Sequence, residues 1–481
     1  MLERLRRSRS FSARNDSTLV WGGMVAIAAI VVFLALVVDR SGYDAVVGGV
    51  TLLVILLGGL PLTRKYAVTI GAPELANLFF GALITKMVFA VIRYIFIYTV
   101  YDGAGDAKGY DQVGWQFAQL VRKGNLVPKV DSIENLEDAT RRLTKITGYV
   151  YAVIGHSQYA GFFIFALAAF TGLVLIARGV EIALPEVNRK RLYVALLFFP
   201  SLLFWPASIG KDAVMVLLLG LSVLGAGMLL APRTRPFGIV PFCLGLAAML
   251  MIRPHVGLMS VMAIAVAVGL SVIARTESHR NSSRARFIRA LLLIVMVLGS
   301  IVAAGSVTRL FDEKAGEATS MQGAFKETLR LTQTGNSKFQ PVEVSSPVAL
   351  PAAVVSVFFR PFPWEVRNVN TLISGLESVA LLIALAASQR RLRSIGRLAF
   401  HRPIVIFALV YIVMFTVAFS NIGNFGILAR QRTQALPLIV LLIAFPRVDE
   451  VRRRAPLDDA EVDLPPQPDR NDLVKPSRIE R

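Results

Sequence analysis

Uninterrupted apolar runs of about twenty residues recur along the whole 481-residue chain and constrain it more than any motif does. Hydrocarbon about 30 Å thick takes roughly 20 residues of helix to cross. Inside it, backbone N–H and C=O groups must find partners within the segment. Continuous runs such as 25–38 and 213–231 therefore predict helices, and the alternation of a transmembrane barrel is missing from them. Hydrophobic residues make up 55% of the chain and charged residues 17%, against roughly 25% charge in a soluble globule. Mean hydropathy is +0.60. These values exclude a soluble enzyme, a disordered protein and a disulfide-built secreted domain. The single cysteine, Cys243, has no intrachain partner.

The expected fold is an all-α polytopic integral membrane bundle of about twelve transmembrane helices. The spans fall near 19–38, 44–62, 75–101, 158–177, 192–209, 213–231, 237–252, 255–274, 287–306, 371–388, 403–420 and 433–446. They form one transmembrane domain, 19–454, between a basic tail at 1–18 and a Pro-, Asp- and Arg-rich tail at 455–481 that is expected to be disordered. The first apolar run is long enough to span and is followed closely by a second, so no cleavable signal peptide is expected. Basic clusters occupy every second junction: Arg64-Lys65, Arg178 with Arg189-Lys190-Arg191, Arg233 and Arg235, 275–289, 390–402, and Arg447 with 452–454. By the positive-inside rule these face the cytoplasm, which puts both termini there in a cell (cytoplasmic) membrane protein. Membrane orientation accounts for most of the net charge of +20 without a nucleic-acid partner.

The opposite face carries two long loops, at about 102–157 and 307–370. In the first, Val113, Phe117, Leu120 and Val121 recur at helical spacing, and 131–151 repeats that character. Both stretches read as amphipathic helices lying along the membrane surface. In the second, 350–359 is apolar but too short to span and ends at Arg360-Pro361-Phe362-Pro363-Trp364-Glu365, which fits a re-entrant or interfacial segment. No internal repeat is visible.

The outer-face basic residues run against the positive-inside pattern. Lys211, Arg253, Arg360, Arg367, Arg430 and Arg432, with His255 beside Arg253, lie in or next to outer connections. Gathered in one cavity they would repel one another unless an anion were present, and the guanidinium fork suits phosphate oxygens. The alternative is snorkelling or pairing with Glu365, Asp212 and Glu377. Asp106 lies in a Gly-rich turn before the first amphipathic stretch. It is read either as a helix N-cap or as a general base taking a proton from an acceptor hydroxyl. Asp111 and Asp212 are further candidates for catalysis. Arg93 and Glu377 fall inside apolar spans, where charge is costly and faces the protein interior, so both are candidates for lining a cavity, with Glu365 of the second outer loop as a third. Lys86 has no assigned role. His156, His279 and His401 lack metal-ligand spacing, and no HExxH, CxxC, EF-hand, Walker or Rossmann pattern occurs. No metal site, nucleotide or other cofactor is expected, and nothing in the sequence supports a divalent cation.

Gly105-Asp106-Ala107-Lys108-Gly109-Tyr110, after the third apolar span and before amphipathic helices, resembles the GT-C superfamily of polytopic glycosyltransferases. So does 199–206 leading to Ile209-Gly210-Lys211-Asp212, which is similar to the mannosyltransferase-like members. The resemblance covers about 75–231. Two further spans precede the one that leads into the acidic loop here, and there is no large soluble C-terminal domain, unlike the usual pattern. The back half, 360–365 and 424–432, resembles O-antigen polymerase- and ligase-like proteins. These resemblances imply a cell-envelope enzyme of polysaccharide biosynthesis at the outer face of the membrane. It would transfer a sugar from a polyprenyl-phosphate donor to a glycan or lipid acceptor. Asp106 would be its base, and Lys211, Arg253, Arg360, Arg430 and Arg432 would hold the phosphate. The polymerase- or ligase-like alternative moves a glycan from polyprenyl pyrophosphate. A transporter or flippase of an anionic lipid would use the same cations without chemistry, and oligomeric state is left open.

Overall fold

The computed structural model describes residues 42–101, 103, 105–274, 328–333, 337–344, 346–367, 369–396, 399 and 402–446. The expected spans at 19–38 and 287–306 and both tails lie outside the described residues. Among those described, every named element is helical, and one isolated antiparallel bridge joins Lys338 to Asn424. The chain runs through α1 (Gly42–Thr69), α2 (Ala76–Ile95, prolonged by a π turn at Phe96–Val100), α3 (Asp106–Arg122), α4 (Asp138–Ile154), α5 (Gln158–Ala183), α6 (Arg189–Leu197), α7 (Pro200–Phe204) and α8 (Lys211–Leu229). It continues as α9 (Ile239–Ile252), α10 (Pro254–Ala274), α11 (Leu350–Phe359), α12 (Val369–Ala387), α13 (Pro403–Phe419), α14 (Phe425–Arg432) and α15 (Leu436–Leu441).

Among the described residues, four helices are long and apolar enough to cross a membrane: Gly42–Thr69, Pro73–Val100, Gln158–Ala183 and Lys211–Leu229. A fifth crossing exists only if α14 and the stretch Leu436–Ala444, bent by 59°, count as one. Pro236–Ile252, Pro254–Leu270, Pro347–Phe359, Thr371–Ala387 and Pro403–Phe419 are apolar but shorter. The continuous span expected at 192–209 is not continuous. Pro200 supplies no backbone N–H and holds Phe199 in an extended conformation, so α6 ends and the short α7 begins afresh.

α5 and α8 form the most extensive helix pair, and glycine makes it so. A Cβ on Gly227 would lie 2.1 Å from the Gly179 carbonyl oxygen, and one on Gly220 would lie 2.4 Å from that of Gly172. Small residues let the two backbones touch, the usual means by which apolar helices associate without a hydrophobic driving force. The next contact repeats the device: a Cβ on Gly245 of α9 would meet the Leu218 carbonyl oxygen of α8 at 2.6 Å.

The two amphipathic helices of the first long loop are present as α3 and α4, packed against each other. Gly114 and Gly148 form their crossing point, where a Cβ on Gly148 would sit 2.9 Å from the Gly114 carbonyl oxygen. At the far end of α5, about 35 Å along its axis, Glu181 pairs with Arg178 (3.1 Å) and Arg189 (2.5 Å). Nearby, Arg402 reaches Glu186. Members of two of the basic clusters, Arg178 with Arg189 and Arg402, thus lie at the end of α5 remote from α3.

Candidate active site

Two helices begin side by side with a glycine followed by an acid. Gly105, at φ 148°, turns the chain into α3, whose first residue is Asp106. Gly210 precedes α8, whose first turn holds Asp212. Asp106 is thus inside the helix, not its N-cap, and makes no capping bond, contrary to one of the two sequence readings. Helix dipoles favour both carboxylates at these positions.

Arg430, in the last turn of α14, joins the two acids. Its Nη1 donates to Asp106 Oδ2 at 2.9 Å, and its Nε donates to Asp212 Oδ2. Asp212 is 7% exposed and Asp106 is 54% exposed, so one carboxylate is locked in and the other faces open space. Arg253 sits at the break between α9 and α10 and donates to Asp212 Oδ1 at 2.9 Å and to Gln431 Oε1 at 2.8 Å. A buried carboxylate is tolerable only when its lone pairs are met, and two arginines meet those of Asp212.

These groups border a cavity of about 390 Å³ whose lining includes Arg93, Tyr101, Asp106, Trp205, Asp212 and Arg430. Ser208, Ser337, Thr371, Ser374 and Asn424 add polar atoms, and Phe425 an aromatic wall. A second cleft of about 180 Å³ adjoins it, sharing Tyr101, Trp205 and Ser374. Its other walls are mostly apolar: Phe89, Ile92, Phe96, Phe204 and Ile373, with Glu377 at one side. Ser201 Oγ donates to Glu377 Oε2 at 2.6 Å.

The sequence candidates divide. Asp106, Asp212, Arg430 and Arg93 share the cavity, and Glu377 lines the cleft. Arg253 stands behind Asp212 and does not line the cavity. Lys211 turns toward α4, donating to Thr140 Oγ1 at 3.0 Å with Glu137 at 3.8 Å. Arg360 is paired with Glu365, bonded through Nε at 2.9 and 3.1 Å, and lies 4.4 Å over the Phe339 ring. Phe339 stacks on Phe425, so Arg360 touches the cavity wall only from behind. Arg432 is buried and donates to the carbonyl oxygens of Phe358 and Arg360 at 2.8 and 3.0 Å. The His255 ring packs edge-on to Phe419 and does not line the cavity.

Asp111 is also absent from the cavity lining. It is buried on the inner face of α3, where it accepts from Tyr151 Oη at 2.6 Å and Gln158 Nε2 at 2.8 Å, with His156 Nε2 at 3.2 Å. His156 stacks on Trp115. The hydrogen bond to Asp111, opposed by partial burial, holds the imidazole above its ordinary pKa. This network ties α3, α4 and α5 together behind the site.

Sequence reasoning quoted 199–206 and 424–432 only for their resemblances and did not single out Phe204, Trp205 or Asn424 as site residues; Ser337, Thr371 and Ser374 of the polar wall carried no signal. No group of three metal-ligating side chains occurs among the described residues. Compared with protein-family models, curated proteins and solved structures, the chain matches none.

Proposed function

We propose that the protein is a membrane glycosyltransferase that moves a sugar from a polyprenyl-phosphate donor to a hydroxyl of a glycan or lipid acceptor. The observation that carries this reading is one polar cavity, bordered by Asp106, Asp212, Arg430 and Arg93, adjoining one apolar cleft. A volume of about 390 Å³ falls in the roughly 300–1,000 Å³ range of small-molecule sites. The pairing of a polar chamber with an apolar annex suits an amphiphilic donor. In our reading about twelve spans cross the cytoplasmic membrane, both termini are cytoplasmic, and the cavity opens at the outer face.

Asp106 is the base because it is the exposed carboxylate of the pair. Its oxygen takes the proton of the acceptor hydroxyl. The acceptor oxygen then bonds to the anomeric carbon, and the bond from that carbon to the phosphate oxygen breaks. The electron pair leaves with the polyprenyl phosphate. Arg430 holds Asp106 in place, and Asp212, fixed by Arg253, holds Arg430. The cations beside the leaving group stabilise the charge that develops there. No nucleotide is required, since the sugar–phosphate bond carries the driving force.

The test uses the full-length protein in nanodiscs with a radiolabelled polyprenyl-phosphate sugar and membrane-extracted acceptor. Labelled product with release of polyprenyl phosphate, lost in Asp106→Asn, is the expected result. In proteoliposomes, movement of the lipid across the bilayer without product would replace the enzyme by a flippase.

A further inference from the structure

Arg93 differs from Arg253, Arg430, Arg360 and Arg432 in that no acceptor among the described residues is bonded to it. It lies in α2, is 9% exposed, and its Nε and Nη1 are buried without a hydrogen-bond partner among the described residues. Its guanidinium carbon sits 4.7 Å from the ring centroids of both Phe204 and Trp205. Aromatic faces attract a cation, but they return less than an apolar burial takes from an unpaired one. The two nearby carboxylates are already engaged: Asp106 by Arg430, and Asp212 by Arg430 and Arg253. Among the described residues here, Asp106 and Asp212 stand against Arg93, Arg253 and Arg430, and Glu377 of the cleft is matched by the buried Arg432, so the one excess positive charge is on Arg93.

We infer that Arg93 is the anchor for a single lipid-borne phosphate carrying one negative charge, a phosphodiester, whose hydrocarbon chain lies in the cleft beside it. The placement argues for the lipid. Phe204 and Trp205, which hold the guanidinium, also wall the cleft, so head and tail subsites meet at this one side chain. Ile92 and Ile373 on the cleft are 40% and 52% exposed, so the annex opens to the outside of the bundle. The charge count argues for the diester over a pyrophosphate, which brings at least one more negative charge than the site leaves unmatched. Arg360 and Arg432 do not meet that charge, being turned to Glu365 and to backbone carbonyls. The inference rests on the glycosyl-transfer reading for the identity of the lipid, and it narrows that reading to a monophosphate-linked donor.

Binding, not turnover, tests it. The full-length protein in nanodiscs is titrated with farnesyl methyl phosphate, farnesyl pyrophosphate, farnesol and inorganic phosphate. The diester should bind at least about tenfold more tightly than farnesol or inorganic phosphate, and at least as tightly as the pyrophosphate. Arg93→Gln should weaken the diester at least about tenfold and leave farnesol unchanged. Arg93→Lys, which keeps the charge and loses the fork, should fall between. Ile92→Trp, at the cleft mouth, should weaken both farnesyl ligands and serves if Arg93→Gln does not fold. Diester affinity unchanged in Arg93→Gln, or tighter pyrophosphate binding, overturns the anchor. Equal binding of inorganic phosphate overturns its assignment to a lipid. Wild-type diester binding that depends on Arg93 without any sugar transfer would overturn the enzyme and keep the anchor. Transfer with an Arg93-independent affinity would do the reverse.

Discussion

Arg430 grips Asp106 through Nη1 at 2.9 Å while its Nε is held by a second, buried acid, so the position of the exposed carboxylate is set from across the bundle. Residues 324 apart in sequence meet here. Asp106 belongs to the first surface helix and Arg430 to a short helix near the other end of the chain. The proposed base therefore depends on the second half of the molecule for its geometry, while its own side chain is half in the open.

Asp106→Asn should lower sugar transfer by about 10²–10⁴-fold, the usual contribution of a positioned general base. Stability should barely move. The pair with Arg430 is largely solvent-facing on the acid side, and such pairs are worth about 0–1 kcal/mol. Thermal unfolding in detergent run beside the transfer assay separates the two. A variant that transfers sugar at the wild-type rate would remove Asp106 from the chemistry.

Asp212→Ala should do the opposite in part. It leaves one arm each of the nearly buried Arg253 and of Arg430 without an acceptor, and breaking a buried pair costs about 3–5 kcal/mol. The expected outcome is a marked fall in thermal midpoint, with transfer lost as a consequence. Asp106→Ala measured alongside should show loss of transfer with little loss of stability.

How much of this was legible in the sequence follows from the range of each interaction. The helical class, the amphipathic α3 and α4 and the acid after Gly105 were legible because each is set by neighbours a few residues away. The convergence of Asp106, Asp212 and Arg430 was readable only as a suspicion: three polar residues on one side of many apolar runs. Which arginines are satisfied was not readable. Arg360 is neutralised by Glu365 five residues on, Arg432 is hydrogen-bonded to backbone carbonyls, and Arg93, buried in an apolar span, finds no acceptor for Nε or Nη1 among the described residues. Residue type is the same in all three, and only tertiary placement separates them. The break at Pro200 was likewise hidden, because apolar composition continues across it.

The His156–Asp111 contact gives a pH dependence of known sign. The folded-state pKa of His156 is raised, by the hydrogen bond and the charge of Asp111 against partial burial. A raised histidine contributes stability that is fully present below its unfolded value, roughly 6.5, and is lost as pH rises through the higher folded value. The thermal midpoint of the wild type, measured relative to His156→Gln, should therefore decline on the alkaline side of pH 6.5 and level off. Parallel curves for the two proteins would show that the imidazole does not titrate against Asp111.

The α5–α8 seam should be the least tolerant place in the bundle. A Cβ on Gly227 would fall 2.1 Å from the Gly179 carbonyl oxygen, a rigid backbone atom that cannot rotate away. Gly227→Ala must then push the two helices apart, at a cost of about 1–3 kcal/mol for overpacking. Gly81→Ala adds a methyl of the same size where no atom lies within 4 Å, and helix propensity alone should make it neutral or slightly stabilising. Unfolding of the two variants in the same detergent compares close backbone packing with glycine content. Because α8 carries Asp212 in its first turn, separating α5 from α8 should also lower transfer in Gly227→Ala, while Gly81→Ala retains it. Equal stability of the two variants would mean that the seam is looser than the backbone contacts require.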